Sequence, residues 1–92
     1  MNRRTATMLF INASGIPIEV LSATADVFYF ANDGTRIWIL PKGTPMFKVV
    51  GEVGRYTLTF DVPKGVSTVY ASMFGIDPET NARLANEQQI VR

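Results

Sequence analysis

Residues 55–61 read RYTLTFD, and their pattern is the strongest indication of the fold class. The large side chains, Tyr56, Leu58 and Phe60, alternate with arginine and threonine. Successive side chains of a β-strand point to opposite faces, so a period of two predicts a strand with one buried and one solvated face. The sequence Pro63-Lys64-Gly65 then predicts a turn, after which the chain runs back as a second strand.

Composition extends this prediction to the whole chain of 92 residues. Val, Ile and Thr number 9, 7 and 9, whereas Leu numbers only 5, which favours strands over helices. Gly and Pro recur at intervals typical of short strands joined by turns. We therefore predict an all-β chain that forms a single domain over residues 1–92.

The individual strands follow from apolar runs between turn signals. The predicted strands are Thr5–Asn12, Ile18–Leu21, Asp26–Ala31, Arg36–Leu40, Phe47–Val50, Arg55–Asp61, Ser67–Phe74 and a last one ending at Arg92. Asn32-Asp33-Gly34 predicts a hairpin with a primed turn, because Asp-Gly can supply the positive φ angles. Residues 77–89 form either a hairpin or a short helical turn capped by Asp77. About seven strands predict a small antiparallel β-sandwich, and a small barrel is the alternative.

One strand carries apolar side chains on both faces. Asp26–Ala31 reads DVFYFA, which is typical of a central strand that is covered on both sides. In so small a domain the second cover could be another subunit. Trp38, together with Tyr29 or Phe47, could form a surface patch for a protein partner or a carbohydrate.

Two absences narrow the possible chemistry. The chain has no His and no Cys, which removes histidine general bases, Ser-His and Cys-His pairs, His-rich metal sites and disulfides. The net charge of +1 does not favour a nucleic-acid binder. Residues 51–54 read GEVG, which predicts a hairpin turn rather than a phosphate clamp. We expect no enzymatic activity, no cofactor and no metal.

The N-terminal segment begins like the positively charged region of a signal peptide, but the resemblance ends there. The apolar run Met8–Ile11 is too short for the apolar region of such a peptide, and no stretch approaches the roughly 20 residues of a membrane span. We expect synthesis in the cytoplasm without a signal peptide, and no membrane partner.

The order of several short segments carries a family resemblance. These segments are 26–30 (DVFYF), 32–35 (NDGT), 54–59 (GRYTLT) and 68–71 (TVYA). In this order they resemble the immunoglobulin-like β-sandwich modules of tailed-phage virion proteins, especially tail and baseplate components. The chain is also similar to transthyretin-type sandwiches of the carboxypeptidase regulatory class. Those usually occur in exported chains, so the missing signal peptide favours the phage family.

The resemblance implies a non-enzymatic structural protein of the virion. Its partners would be other copies of itself, in a homo-oligomer or larger assembly, and other virion proteins. The candidate contacts are an N-terminal arm, 1–7, with Arg3 and Arg4, a C-terminal tail, 86–92, with Ile90, and the surface residues Tyr29, Trp38 and Phe47. Two alternatives stay open: a binding or inhibitory module that docks on a host protein, and a carbohydrate- or cell-surface-binding module.

Overall fold

The chain folds into eight β-strands. A computed structural model describes the backbone of residues 2–91 and the side chains of residues 3–90. The strands are β1 (Asn2–Leu9), β2 (Leu21–Phe30), β3 (Arg36–Trp38), β4 (Thr44–Pro45), β5 (Phe47–Lys48), β6 (Arg55–Val62), β7 (Thr68–Ile76) and β8 (Arg83–Val91). The described residues contain no helix, and therefore none that could cross a membrane. The predicted all-β class is confirmed.

The strands form two antiparallel sheets. A three-stranded sheet has the order β1-β6-β5, and a five-stranded sheet has the order β3-β2-β7-β8, with β4 also paired to β2. The edge strands β1 and β8 lie next to each other, and the Gln88 side-chain amide donates to the Thr7 main-chain carbonyl at 3.0 Å. The two sheets therefore form the predicted small β-sandwich.

The core lies between the two sheets. Alternation along β6 buries Tyr56, Leu58 and Phe60, as the pattern at 55–61 predicts, and it continues to the buried Val62. The opposite layer is supplied mainly by Ala25 and Val27 of β2 and by Val69, Ala71 and Met73 of β7. These side chains are almost fully removed from water. In a chain without disulfides, this burial is the main favourable contribution to the free energy of folding.

The predicted strand Ile18–Leu21 is wrong. Residues 18–20 have no strand structure, and Leu21 already belongs to β2. The Ile18 N–H donates to the Phe10 carbonyl, and the Val20 N–H donates to the Tyr56 hydroxyl at 3.2 Å. The first acceptor is a main-chain carbonyl that belongs to no strand, and the second is a side chain. The segment therefore packs on the core without a strand partner.

The hairpin at residues 31–35 is present, but its turn is not primed. Gly34 has φ of 88°, whereas Asn32 and Asp33 both have negative φ. The Gly34 N–H donates to the Ala31 carbonyl at 2.9 Å, which describes a type I turn followed by a glycine bulge. The Thr35 N–H donates to the Asp33 carboxylate at 2.9 Å, and hydrogen bonds from Thr35 lower the pKa of Asp33.

The C-terminal alternative is resolved in favour of the hairpin. Residues 78–80 form a turn, and β8 pairs with β7 without interruption from Arg83 to Val91. The buried Asp77 carboxylate accepts the N–H of Glu79 at 2.9 Å, so it fixes a turn instead of capping a helix. The helical-turn alternative for this segment is wrong.

Candidate functional site

The outer face of the five-stranded sheet carries a cluster of aromatic side chains. Phe28 lies opposite Trp38 on β3 and opposite Tyr70 on β7, and Phe30 follows on the same face of β2. We call Phe28, Phe30, Trp38 and Tyr70 the aromatic patch. Three adjacent strands thus bring together rings that are separated along the chain but are direct neighbours in the sheet.

The rings of the aromatic patch pack around Phe28. Its centroid lies 5.5 Å from Trp38, 5.7 Å from Phe30 and 5.8 Å from Tyr70. The contacts with Trp38 and Phe30 are edge-to-face, at 65° and 80°, and the contact with Tyr70 is stacked at 17°. These spacings are the ones at which aromatic pairs attract one another beyond simple burial.

A cation covers the centre of the aromatic patch. The Arg36 guanidinium lies 4.4 Å from the Phe28 centroid and within 6 Å of Trp38 and Phe30, at 5.7 and 5.8 Å. None of the ion pairs between described residues includes Arg36. Its charge therefore interacts with ring faces.

Burial divides the aromatic patch into a dry centre and an exposed rim. Phe28 is only 3% exposed although it lies on the outside of the sandwich, whereas Phe30 and Trp38 are 46% and 39% exposed. Phe28 does not contribute to the core between the sheets. The outer face therefore has a small apolar centre of its own, surrounded by rings that still contact water.

The same face continues toward the β7–β8 hairpin. A shallow depression there is lined by Ser22, Thr24, Ile76, Asn81 and Arg83, with the Phe74 ring beneath. The Arg83 guanidinium lies 4.2 Å from the Phe74 centroid. Ser22 and Asn81 have φ of 54° and 62°, at the bulge of β2 and in the hairpin. The depression therefore offers hydroxyl, amide and guanidinium groups to a ligand or partner.

Two side chains with shifted pKa values lie away from this face, where Tyr56 meets Glu19. The Tyr56 hydroxyl donates to the Glu19 carboxylate at 3.0 Å, and Lys48 forms an ion pair with that carboxylate at 3.2 Å. Partial burial raises the pKa of Glu19, but the bonds from Lys48 and Tyr56 and the charge of Lys48 outweigh it and leave the pKa below 4.5. Burial, with a smaller contribution from Glu19, raises the pKa of Tyr56.

These contacts connect the segment before β2 to β5 and β6. A carboxylate of lowered pKa is a weak base, and a tyrosine of raised pKa is a weak acid near neutrality. Asp26, which is buried like Asp77, accepts the Gly43 N–H at 2.8 Å and fixes the loop before β4. No cluster of three or more acidic side chains suited to a metal occurs among the described residues.

The structure separates the residues that the sequence singles out. Trp38 belongs to the aromatic patch, but Tyr29 lies opposite Ile37 on the other face of β2. Phe47 is 67% exposed on the three-stranded sheet, opposite Thr57. Ile90 packs against the core from β8. The predicted patch of Trp38 with Tyr29 or Phe47 is therefore not formed.

The two N-terminal arginines differ in their surroundings. Arg3 is exposed and forms an ion pair with Asp61 at 3.4 Å. Arg4 shares the inward-facing alternation of Ala6 and Met8, and both its Nη atoms are buried without a hydrogen-bond partner. Residues 3–7 and 86–90 belong to β1 and β8, so they form sheet edges rather than free arms. Met1 and Arg92, the ends of the predicted arm and tail, lie outside the described residues.

Sequence reasoning missed Phe28, Phe30, Tyr70 and Arg36 as one group. The i, i+2 spacing of Phe28 and Phe30 does place them on one face of a strand. Their partnership with Tyr70 depends on how β2 pairs with β7, which no local pattern specifies.

Comparison with protein-family models, with curated proteins and with solved structures finds no match to this chain.

Proposed function

We propose that this chain is a non-enzymatic structural or assembly protein that acts through protein–protein contacts, with the aromatic patch as its main binding surface. The sequence resemblance to tailed-phage sandwich modules supports a place in the virion. The absence of His and Cys from the sequence supports a role that depends on surfaces rather than on chemistry.

The main support for this proposal is the centre of the aromatic patch, which is shielded from water. Trp, Tyr and Arg are the residue types enriched where partner proteins bind most tightly, and such positions sit beside groups already shielded from water. Here Phe28 is shielded, while Trp38 and Phe30 present exposed ring surface next to Arg36. A partner that covers the rim would bury aromatic area without having to order new side chains.

The charge of the aromatic patch indicates the chemistry of the partner. Arg36 has no carboxylate partner among the described residues, and the rings around it are apolar. The surface therefore fits a protein segment with apolar side chains and at least one carboxylate that can bond the guanidinium. Covering the rings would also strengthen that ion pair, since both groups would leave water together.

The ring geometry favours a protein over a sugar. A sugar ring stacks on an exposed, flat aromatic face, but the face of Phe28 is covered by Arg36 and by Tyr70. The exposed rings of Phe30 and Trp38 meet Phe28 edge-on, at 80° and 65°, and do not lie parallel to that ring in one flat platform. A carbohydrate-binding module is therefore the less favoured alternative.

Capture from host extract tests the proposal, with Trp38→Ala and Phe30→Ser as binding variants. Thr59→Ala, on the outer face of the three-stranded sheet, is the matched control. Circular dichroism and thermal melting first establish that all variants are folded. We expect wild type and Thr59→Ala to capture the same virion structural proteins, and the two patch variants to lose them. Capture of a single host enzyme, binding to a glycan array, or equal capture by patch variants would overturn the proposal.

A further inference from the structure

The strand β8 is a long, regular sheet edge that lacks most of the usual protections against strand pairing. It pairs with β7 over nine consecutive residues, from Arg83 to Val91, and has no bulge in that register. Its sequence, RLANEQQIV, contains no Pro, Gly or Lys. Natural proteins protect exposed edges with such residues, with bulges or with short strands, so an edge that lacks them can accept another strand.

The other edges of the two sheets are short or partly occupied. On the opposite side of the five-stranded sheet, β3 has three residues and β4 has two, one of which is Pro45. In the three-stranded sheet, β5 has two residues, and the edge of β1 is partly occupied where Gln88 bonds the Thr7 carbonyl. Among the described strands, β8 is therefore the edge best suited to strand addition.

The hairpin fixes which main-chain groups of β8 are free. The Asp77 N–H donates to the opposite Ala82 carbonyl at 2.9 Å. Since hydrogen-bonded pairs alternate along an antiparallel ladder, the groups of Leu84, Asn86 and Gln88 point toward β7. The N–H and carbonyl groups of Arg83, Ala85, Glu87 and Gln89 consequently point toward the open edge.

Opposite charges lie four residues apart on this edge. Arg83 and Glu87 share the exposed outer face of β8, on either side of the small Ala85. Neither forms an ion pair with another described residue, and Glu87 only accepts a hydrogen bond from Ser72 at 3.0 Å. An antiparallel strand of the same sequence, centred on Ala85, would place each Arg83 directly opposite the other copy's Glu87.

We propose that the partner at this edge is a second copy of the chain, added antiparallel through β8 with the two Ala85 residues opposite each other. The register matches the free main-chain groups and forms two cross-strand ion pairs, which is the self-complementary contact that a two-fold dimer requires. The two-fold axis is perpendicular to the sheet, so both aromatic patches face the same side. The inference rests on the proposed assembly function and names one of its contacts.

Cysteine cross-linking tests the register, because the chain has no other cysteine. In the proposed dimer the two Ala85 Cα atoms lie ~5.5 Å apart, within the range of a disulfide. Gln89→Cys is the control, since its two copies would lie more than about 25 Å apart. We expect Ala85→Cys to form a covalent dimer under mild oxidation and Gln89→Cys to stay monomeric. Equal cross-linking of both variants, or of neither, overturns the proposed register.

A charge exchange tests the same contact without oxidation. Arg83→Glu or Glu87→Arg alone replaces two attractions with two repulsions, and we expect about a tenfold loss in dimer affinity. The double variant Arg83→Glu with Glu87→Arg restores both pairs and should recover the wild-type affinity. A dimer that ignores all three changes overturns the edge contact but leaves the assembly function standing, since that function is judged by capture through the aromatic patch.

Discussion

The perturbation Phe28→Ala tests whether the outer face has a packed centre of its own. Phe28 is 3% exposed and contacts three rings and the Arg36 guanidinium. Phe→Ala at a buried site costs about 3–5 kcal/mol, whereas an ordinary surface substitution stays within about 0.5 kcal/mol. Because Arg36 and the flanking rings can partly collapse into the space, we expect a loss near the lower bound, ~3 kcal/mol in the free energy of unfolding.

Urea denaturation measures this loss, with circular dichroism and the fluorescence of Trp38 as probes. Trp38 is the only tryptophan and its ring contacts Phe28, so its emission reports on the aromatic patch directly. A chain of this length has a total stability of only ~5–14 kcal/mol, so Phe28→Leu provides a milder variant that stays folded.

The control for this experiment is Phe30→Ala, at a ring that is 46% exposed on the same strand. We expect it to cost less than half as much as Phe28→Ala. A loss below about 1 kcal/mol for Phe28→Ala, or equal losses for the two variants, would refute the conclusion that the outer face has a dry centre.

Three further predictions concern groups away from the aromatic patch. Tyr56→Phe leaves a buried main-chain N–H without its acceptor and should cost about 1–3 kcal/mol in chemical denaturation; a change below 0.5 kcal/mol would contradict the network at this hydroxyl. Arg4→Met removes two buried nitrogens without hydrogen-bond partners and should raise the melting temperature, whereas a lower one would show that Arg4 is bonded in solution. Because the pKa of Glu19 is lowered on folding, its stabilisation is present above pH 4.5 and is lost as the pH falls through the lower folded value. Glu19→Gln should therefore lose less stability than wild type between pH 6 and pH 3, and parallel pH profiles would disprove the effect.

The alternation of apolar and polar side chains predicted much of the sandwich. At 55–61 a period of two fits only a strand with one buried face, and Tyr56, Leu58 and Phe60 are indeed buried on one face of β6. The segment 18–21 failed because an apolar run specifies burial, while a strand also needs a partner with free main-chain groups. Arg4 shows the converse, since a polar residue takes an inward position when the strand's alternation puts it there.

The aromatic patch was only partly predictable. The sequence indicated apolar bulk on both faces of β2, and the structure shows that rings of neighbouring strands provide the outer cover. Which rings meet depends on the pairing of Phe28 with Tyr70, strands that are far apart in the chain, and register of this kind is set by the whole sheet rather than by local sequence. The free edge of β8 could not be predicted either, because the sequence of residues 77–89 did not distinguish a hairpin from a helical turn.

Sedimentation equilibrium of the wild-type chain across a wide concentration range measures its mass in solution and so tests self-association directly. We expect a reversible shift from the 10.2 kDa monomer to a species of twice that mass or larger. A single monomeric mass up to millimolar concentration would contradict self-association through β8, and the capture experiment would then decide whether the chain assembles only with other proteins.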